Sequence, residues 1–225
     1  MPNIESINIR INKFFRLKFS KIRKKKINKE KFTIISNNCW GGMIYESYGL
    51  QKQSPTIGLF FEPGDYLKFI TNLKYYLSQD LKFIKYNESK NKNFLKSVKL
   101  DENTSVPLGK LGDIEIIFLH YKDEKEAKEK WQRRIKRINY KNIIFKFNDQ
   151  NGCTEEHLKT FLKLPYENKI FFTVKKWNVK SKIIIKVPQL FNNKFIYASH
   201  EPFGANLFFN VNEYINNIKE TLWNK

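Results

Sequence analysis

Residues Ser36-Asn37-Asn38-Cys39-Trp40-Gly41-Gly42 place a thiol, two carboxamides and two glycines after the apolar run at 32–35. Met43, Ile44 and Tyr45 follow as a helix start. A strand, a polar turn and a helix is where α/β proteins gather ligands, because the first helical turn has unpaired N–H groups and partial positive charge. Gly41 and Gly42 would let a ligand approach the backbone. Asn37, Asn38, Trp40, Gly41 and Gly42 are therefore candidates for substrate binding. Cys39 is either a nucleophile, its thiolate favoured by the helix and a nearby histidine, or a small packed hydrophobe.

In a parallel sheet every strand delivers its C-terminal end to one edge, and ligands bind there. That rule adds His120 and Tyr121, then Asn148, Asp149 and Gln150, then Lys175, Lys176 and Trp177. His120 is a candidate general base or a phosphate-binding group, or else it closes a loop. Asp149 is a candidate base or hydroxyl acceptor, or else a turn residue in Asn148-Asp149-Gln150-Asn151-Gly152. Lys175 and Lys176 suit the charge of a leaving group. At about 100° per residue, Ala127, Trp131, Arg134 and Ile138 share one face of a helix over 123–138. An arginine on that packed face calls for a carboxylate or phosphate partner, or runs along Trp131 to solvent. Trp131 and Arg134 thus join the substrate-binding candidates.

The elements that must position these groups alternate. Strands are expected at 32–36, 57–61, 81–84, 114–119, 143–147, 170–174 and 183–187. Most are continuous apolar runs, which implies burial on both faces and a mostly parallel sheet. Helices start at Pro63, with Tyr66, Ile70, Leu73 and Leu77 on one stripe, and at Asp123, Thr154 and Asn210. The last has Val211, Ile215, Ile218 and Leu222 inward. The pattern predicts a three-layer α/β sandwich, and its repeated order allows two similar βαβαβ halves at 32–84 and 114–174. Asp113 and Glu115 share a strand face at the strand's start, away from the ligand edge, and read as structural.

The chain has 225 residues, enough for a sizeable core. A net charge of +20, from 42 Lys and Arg against 22 acids, favours anionic partners, although an AT-rich coding bias writes the same surface. No apolar run is long enough to span a membrane, and no secretory leader is visible. Cys39 and Cys153 make no metal spacing, and His120, His157 and His200 are scattered. A cytoplasmic location with no metal and no cofactor is expected. Walker A, GxGxxG and GxSxG patterns are absent, as are zinc-finger and RNP motifs, so nucleic acid is not an expected partner. Residues 1–31 form a separate basic segment, with eleven Lys and Arg against Glu5 and Glu30. Its apolar residues recur at helical spacing, as in a helix that either lies on an anionic membrane or packs on the α/β domain at 32–225.

Six segments recur together: 36–42; Ser54-Pro55-Thr56-Ile57-Gly58-Leu59; Pro63-Gly64-Asp65-Tyr66; Leu108 to Ile114; His120-Tyr121; and Lys130-Trp131-Gln132-Arg133-Arg134. In this order they resemble a bacterial family of unknown function found in exopolysaccharide and capsule biosynthesis loci, over about residues 32–175. The resemblance implies an α/β fold and a role in surface-polysaccharide assembly, and it carries over no catalytic residue. The expected activity is a metal-independent transferase that takes an activated sugar or other phosphate-bearing donor and a glycan acceptor. Acyl transfer to a sugar hydroxyl and non-catalytic binding of glycan or phosphate are the alternatives. Peripheral contact with the inner face of the membrane is the expected use of the basic segment.

Overall fold

The computed structural model describes residues 4–188 and 194–223. In chain order the first elements are α1 (Ile4–Lys18), α2 (Ser20–Lys24), β1 (Thr33–Ser36), α3 (Trp40–Ser47), α4 (Pro63–Thr71), α5 (Leu73–Ser78), β2 (Lys82–Ile84) and α6 (Lys92–Ser97). Then come β3 (Leu108–Leu111), β4 (Ile114–Ile117), α7 (Glu124–Ile135), β5 (Ile143–Asn148), α8 (Glu155–Lys163), β6 (Lys169–Thr173), β7 (Ile184–Lys186) and α9 (Val211–Asn216). A 3₁₀ turn at Ala198–His200 follows β7.

Four strands form a parallel sheet in the order β1-β5-β6-β7. Their apolar runs are continuous because both faces are covered. Ile35, Phe145, Phe147 and Phe171 face a core shared with α4, α5, α7 and α8. Ile34, Ile144, Ile170 and Phe172, one residue out of phase, face Trp40, Ile44, Val211 and Ile215 from α3 and α9. This is the expected α/β sandwich. At the edge strand β1, the Tyr45 hydroxyl accepts from Ile34 N (3.0 Å) and Thr56 Oγ1 accepts from Ser36 N (3.1 Å). Side chains thus occupy donors that an unpaired edge would leave open.

The strands expected at 81–84 and 114–119 do not enter that sheet. They belong to a second, antiparallel sheet in the order β2-β3-β4, so the chain is not two βαβαβ halves. Gly112 and Asp113 close a two-residue hairpin between β3 and β4, with Gly112 at φ +57°. β4 is buried throughout, so its sequence looks like a parallel strand. The segment at 57–61 is a connector rather than a strand. Phe60 bridges to Ile117, and Phe61 N donates to Asn37 O.

Helix starts follow the expected caps. Glu62 accepts from Asp65 N, Asp123 from Glu126 N, Thr154 from His157 N and Asn210 from Glu213 N. The stripe Tyr66, Ile70, Leu73 and Leu77 is buried, although the helix breaks at Asn72. Leu222 is exposed, because α9 ends at Asn216 before its phase can carry that far.

Asp65 ties the two sheets together. Its buried carboxylate accepts from Glu115 N (2.9 Å), Asn91 Nδ2 (2.9 Å) and Lys90 Nζ (2.6 Å), joining α4 to β4 and the start of α6. Glu115 accepts from Ser89 Oγ and Lys90 N, and Asp113 meets Lys68 and Tyr76, so both carboxylates are structural as read. Asp65→Ala strands buried donors and should lower stability by about 2–4 kcal/mol, with Asp65→Asn losing less. Urea unfolding of the two variants measures this.

Candidate functional site at the C-terminal edge of the parallel sheet

β5 carries a lysine, Lys146, inside the apolar run Ile143-Ile144-Phe145-Lys146-Phe147. Its side chain is fully buried, on the same face as Ile144 and Phe172. A buried ammonium must be paired and hydrogen-bonded. Nζ donates to Glu201 Oε1 (2.5 Å), Asn38 Oδ1 (2.8 Å) and Asn37 Oδ1 (3.4 Å). Glu201, fully buried in its side chain, also accepts from Asn148 Nδ2 (2.7 Å) and Asn38 Nδ2 (3.3 Å). Asn37 Nδ2 donates to Asn148 Oδ1 (2.7 Å), and Ser36 Oγ to Asn38 Oδ1 (3.1 Å). Burial brings Lys146 down to about 8, against the pull of Glu201, and raises Glu201 above the usual carboxylate range.

Asn37, Asn38 and Asp149 do meet at this edge. Asp149 is fully buried and accepts from Thr173 Oγ1 (2.7 Å), Val174 N (2.9 Å) and Ile196 N (2.7 Å). It fastens the ends of β5 and β6 to the chain at 196, which makes it a positioning carboxylate. Lys175 is half-buried, with Nζ 3.5 Å from Asp149 O, and Lys176 is exposed beside it. Cys39, half-buried, stands at the N-cap of α3 without capping it by side chain. Burial, reinforced by the Glu201 carboxylate, pushes its thiol up to about 11, so the nucleophilic thiolate is disfavoured.

The other candidates hold the fold. Trp40 is buried, donates Nε1 to Pro202 O (2.8 Å) and meets Phe172 edge-on. A Cβ on Gly41 would lie 3.2 Å from Ile34 Cγ2, and one on Gly42 2.9 Å from Ile57 Cγ2. Both glycines allow close packing of α3 against Ile34 and Ile57. Trp131 is core, against Phe69 and Phe118. Arg134 is buried, has no carboxylate partner among the described residues, and donates to Ile57 O (3.1 Å) and Tyr121 Oη (2.5 Å).

His120 follows β4, so the antiparallel sheet delivers it, not the parallel one. It still comes close to the α3 end, through a short relay. His120 N donates to Gly58 O, and Gly58 follows the Ile57 that packs on Gly42. The imidazole is exposed by surface, and partial desolvation lowers its pKa from the ordinary value, which disfavours the protonated form.

Of two cavities, only one adjoins the region. One of about 500 Å³ lies beside Glu201, lined by Asn12 of α1, Val187, His200, Phe203 and Phe208. The larger, about 580 Å³, lies by the antiparallel sheet between Tyr86, Asp101 and Lys122 and touches no candidate residue. Among the described residues, no three His, Cys, Asp or Glu side chains gather as a metal site would need, and no helix is long and apolar enough to cross a membrane.

A family model described as a domain of unknown function (DUF1919) matches residues 10–223. The chain belongs to that family. The match takes in both Lys146 and Glu201. A relative from Haemophilus influenzae (strain ATCC 51907 / DSM 11121 / KW20 / Rd), described as an uncharacterized protein, is 33% identical over 187 residues, 83% of each chain.

Neither Lys146 nor Glu201 is among the residues that the sequence marks for chemistry. The signal for Lys146 is a charge inside a strand buried on both faces, which demands a partner. Glu201, in an irregular stretch, carries no such signal. Lys146→Met leaves Glu201 buried and unpaired and should lower stability by about 3–5 kcal/mol, whereas adding Glu201→Leu should recover most of it. Denaturant melts of the single and double variants check this. For Cys39, iodoacetamide labelling followed by mass spectrometry should be slow at neutral pH and keep accelerating towards about 11. A plateau near the ordinary thiol value of about 8.5 would contradict the assigned environment.

Proposed function

We propose that the protein is a transferase of surface-polysaccharide assembly, working on the cytoplasmic side at the inner face of the membrane. It takes an activated sugar or another phosphate-bearing donor and passes the group to a glycan hydroxyl. His120 acts as general base, removing the proton from the acceptor hydroxyl as its oxygen attacks. Lys175 and Lys176 offset the charge of the departing phosphate. Asn37, Asn38 and Asp149 hold the strand ends in place behind them.

The observation that carries this reading is the exposed imidazole of His120, joined through Gly58 and Ile57 to the α3 end of a sheet whose C-terminal rim carries Lys175 and the exposed Lys176. The likeness of the six sequence segments to proteins of polysaccharide loci supplies the pathway. Acyl transfer through Cys39 is the weaker enzyme reading, because its thiol stays protonated. Non-catalytic glycan or phosphate binding keeps one specific support: Lys146, Glu201, Asn37 and Asn148 already satisfy one another and need no substrate to do so.

A thermal-shift screen of the full chain against nucleotide sugars and acyl-coenzyme A separates these readings. Nucleotide sugars should raise the melting temperature and acyl-coenzyme A should not. His120→Ala should preserve the donor shift and lower transfer by about a hundredfold or more. Lys175→Ala with Lys176→Ala should weaken the donor shift. Donor binding with transfer unaffected by His120→Ala would remove the histidine from the mechanism, and no response to any nucleotide sugar would sink the transferase reading.

A further inference from the structure

α1 is amphipathic, but it is turned inside out. A helix on a globular domain normally buries its apolar stripe. Here the described residues that face the domain are polar: Arg16 is buried and Asn12 half-buried. Ile7, Ile11, Phe14 and Phe15 occupy an arc of roughly 100°, centred about 130° around the helix from Asn12 and Arg16; Ile9 and Leu17, outside that arc, are exposed as well. The four within the arc, with Ile22 of α2, are each between 42% and 57% exposed.

This orientation is fixed by polar contacts. Arg23 of α2 donates Nε to Ser47 O of α3 (2.9 Å) and its guanidinium to Phe15 O (3.0 Å) and Arg16 O. One side chain thus satisfies carbonyls at the end of α1 and pins them to α3. Arg16 lies 3.9 Å from Glu46. The polar face is therefore the one in use, and the apolar face is left outward.

What covers that face is constrained by charge. Residues 1–31 hold eleven basic residues against two acids, net +9, with Arg10, Lys13, Lys18, Lys21, Lys24 and Lys25 in or just after the two helices. A second copy would bring two such segments together, with strong mutual repulsion. An anionic bilayer matches both halves of the pattern, since apolar side chains enter the headgroup boundary while lysines meet lipid phosphates.

We propose that the outward face of α1 and α2 is a docking surface for anionic lipid, with Ile7, Ile11, Phe14, Phe15 and Ile22 inserted and the flanking lysines on the headgroups. This rests on the membrane-side location given above, and it is independent of the transfer reaction.

The test is co-sedimentation of the full chain with phosphatidylcholine vesicles, with and without about one-quarter phosphatidylglycerol. Binding should require the anionic lipid and fall about tenfold or more as salt rises from roughly 0.1 to 0.5 M. Phe14→Glu with Phe15→Glu should lower vesicle affinity about tenfold or more, with the melting temperature within about 2 °C of the parent. No binding, equal binding to neutral vesicles, or undiminished binding by the double variant would overturn the proposal. So would a salt-resistant dimer in solution that the double variant dissolves, which would make the face an interface between copies. Nucleotide-sugar shifts are read on the same samples. Vesicle binding without a donor response sinks the transferase reading and supports this one; a donor response without vesicle binding overturns this one and the membrane-side location, and leaves the transfer reaction standing.

Discussion

Lys146 puts a full charge in the middle of an apolar sheet, and nothing within β5 neutralises it. An ammonium left there alone would destabilise the fold by several kcal/mol. The answering carboxylate comes from Glu201, beyond the last strand of the sheet. Pairing them forces the chain at 196–202 across the C-terminal edge. Three further contacts set it there: Asp149 accepts from Ile196 N, Ile196 O accepts from Asn148, and Pro202 O accepts from Trp40. The 3₁₀ turn at Ala198–His200 is carried along and meets α1. The ion pair thus reaches, through that turn, one of the surfaces α1 rests on, beside the direct hold of Arg23 on Ser47 O of α3. A pair of hydrophobic residues would often be as stable. What the ion pair adds is a requirement for one particular partner at one position.

The second joint is between the two sheets. Arg134 of α7 and Tyr121 meet at Ile57 O, and Ile57 packs on Gly42 of α3. Asp65 makes the corresponding tie from α4 to β4. These contacts set how far the loop carrying His120 stands from the end of the parallel sheet. Arg134 acts there as a carbonyl clamp, with its guanidinium over the Tyr121 ring and no acidic partner among the described residues.

β1, β5 and β6 are legible in the sequence because burial on both faces writes continuous apolar runs. β4 is written the same way and belongs elsewhere, since periodicity reports burial and not strand direction. The Gly112-Asp113 pair between Leu111 and Ile114 is the local sign of a hairpin, and it outweighs the run that follows it. The helix start at Pro63 and the caps at Asp123, Thr154 and Asn210 are short-range events, and they read correctly. At the site, Asn37, Asn38 and Asp149 follow from strand order alone. The packing roles of Trp40, Gly41 and Gly42 depend on Phe172, Ile34 and Ile57, and the partner of Lys146 on a loop more than fifty residues away. Such facts are set by tertiary proximity, which local pattern does not carry.

Glu201 lies 53 residues after its hydrogen-bond partner Asn148, and β1 to β7 all precede it. During synthesis at about 5–20 residues per second, roughly 3–10 s separate the two. For that interval the nascent chain comes to possess every strand of its sheet and still lacks the counter-charge that lets the sheet close. A ribosome that stops short of Glu201 would release a chain with an unanswered ammonium at its centre. The late carboxylate therefore makes stable burial of the sheet a reading of how much of the chain has been made.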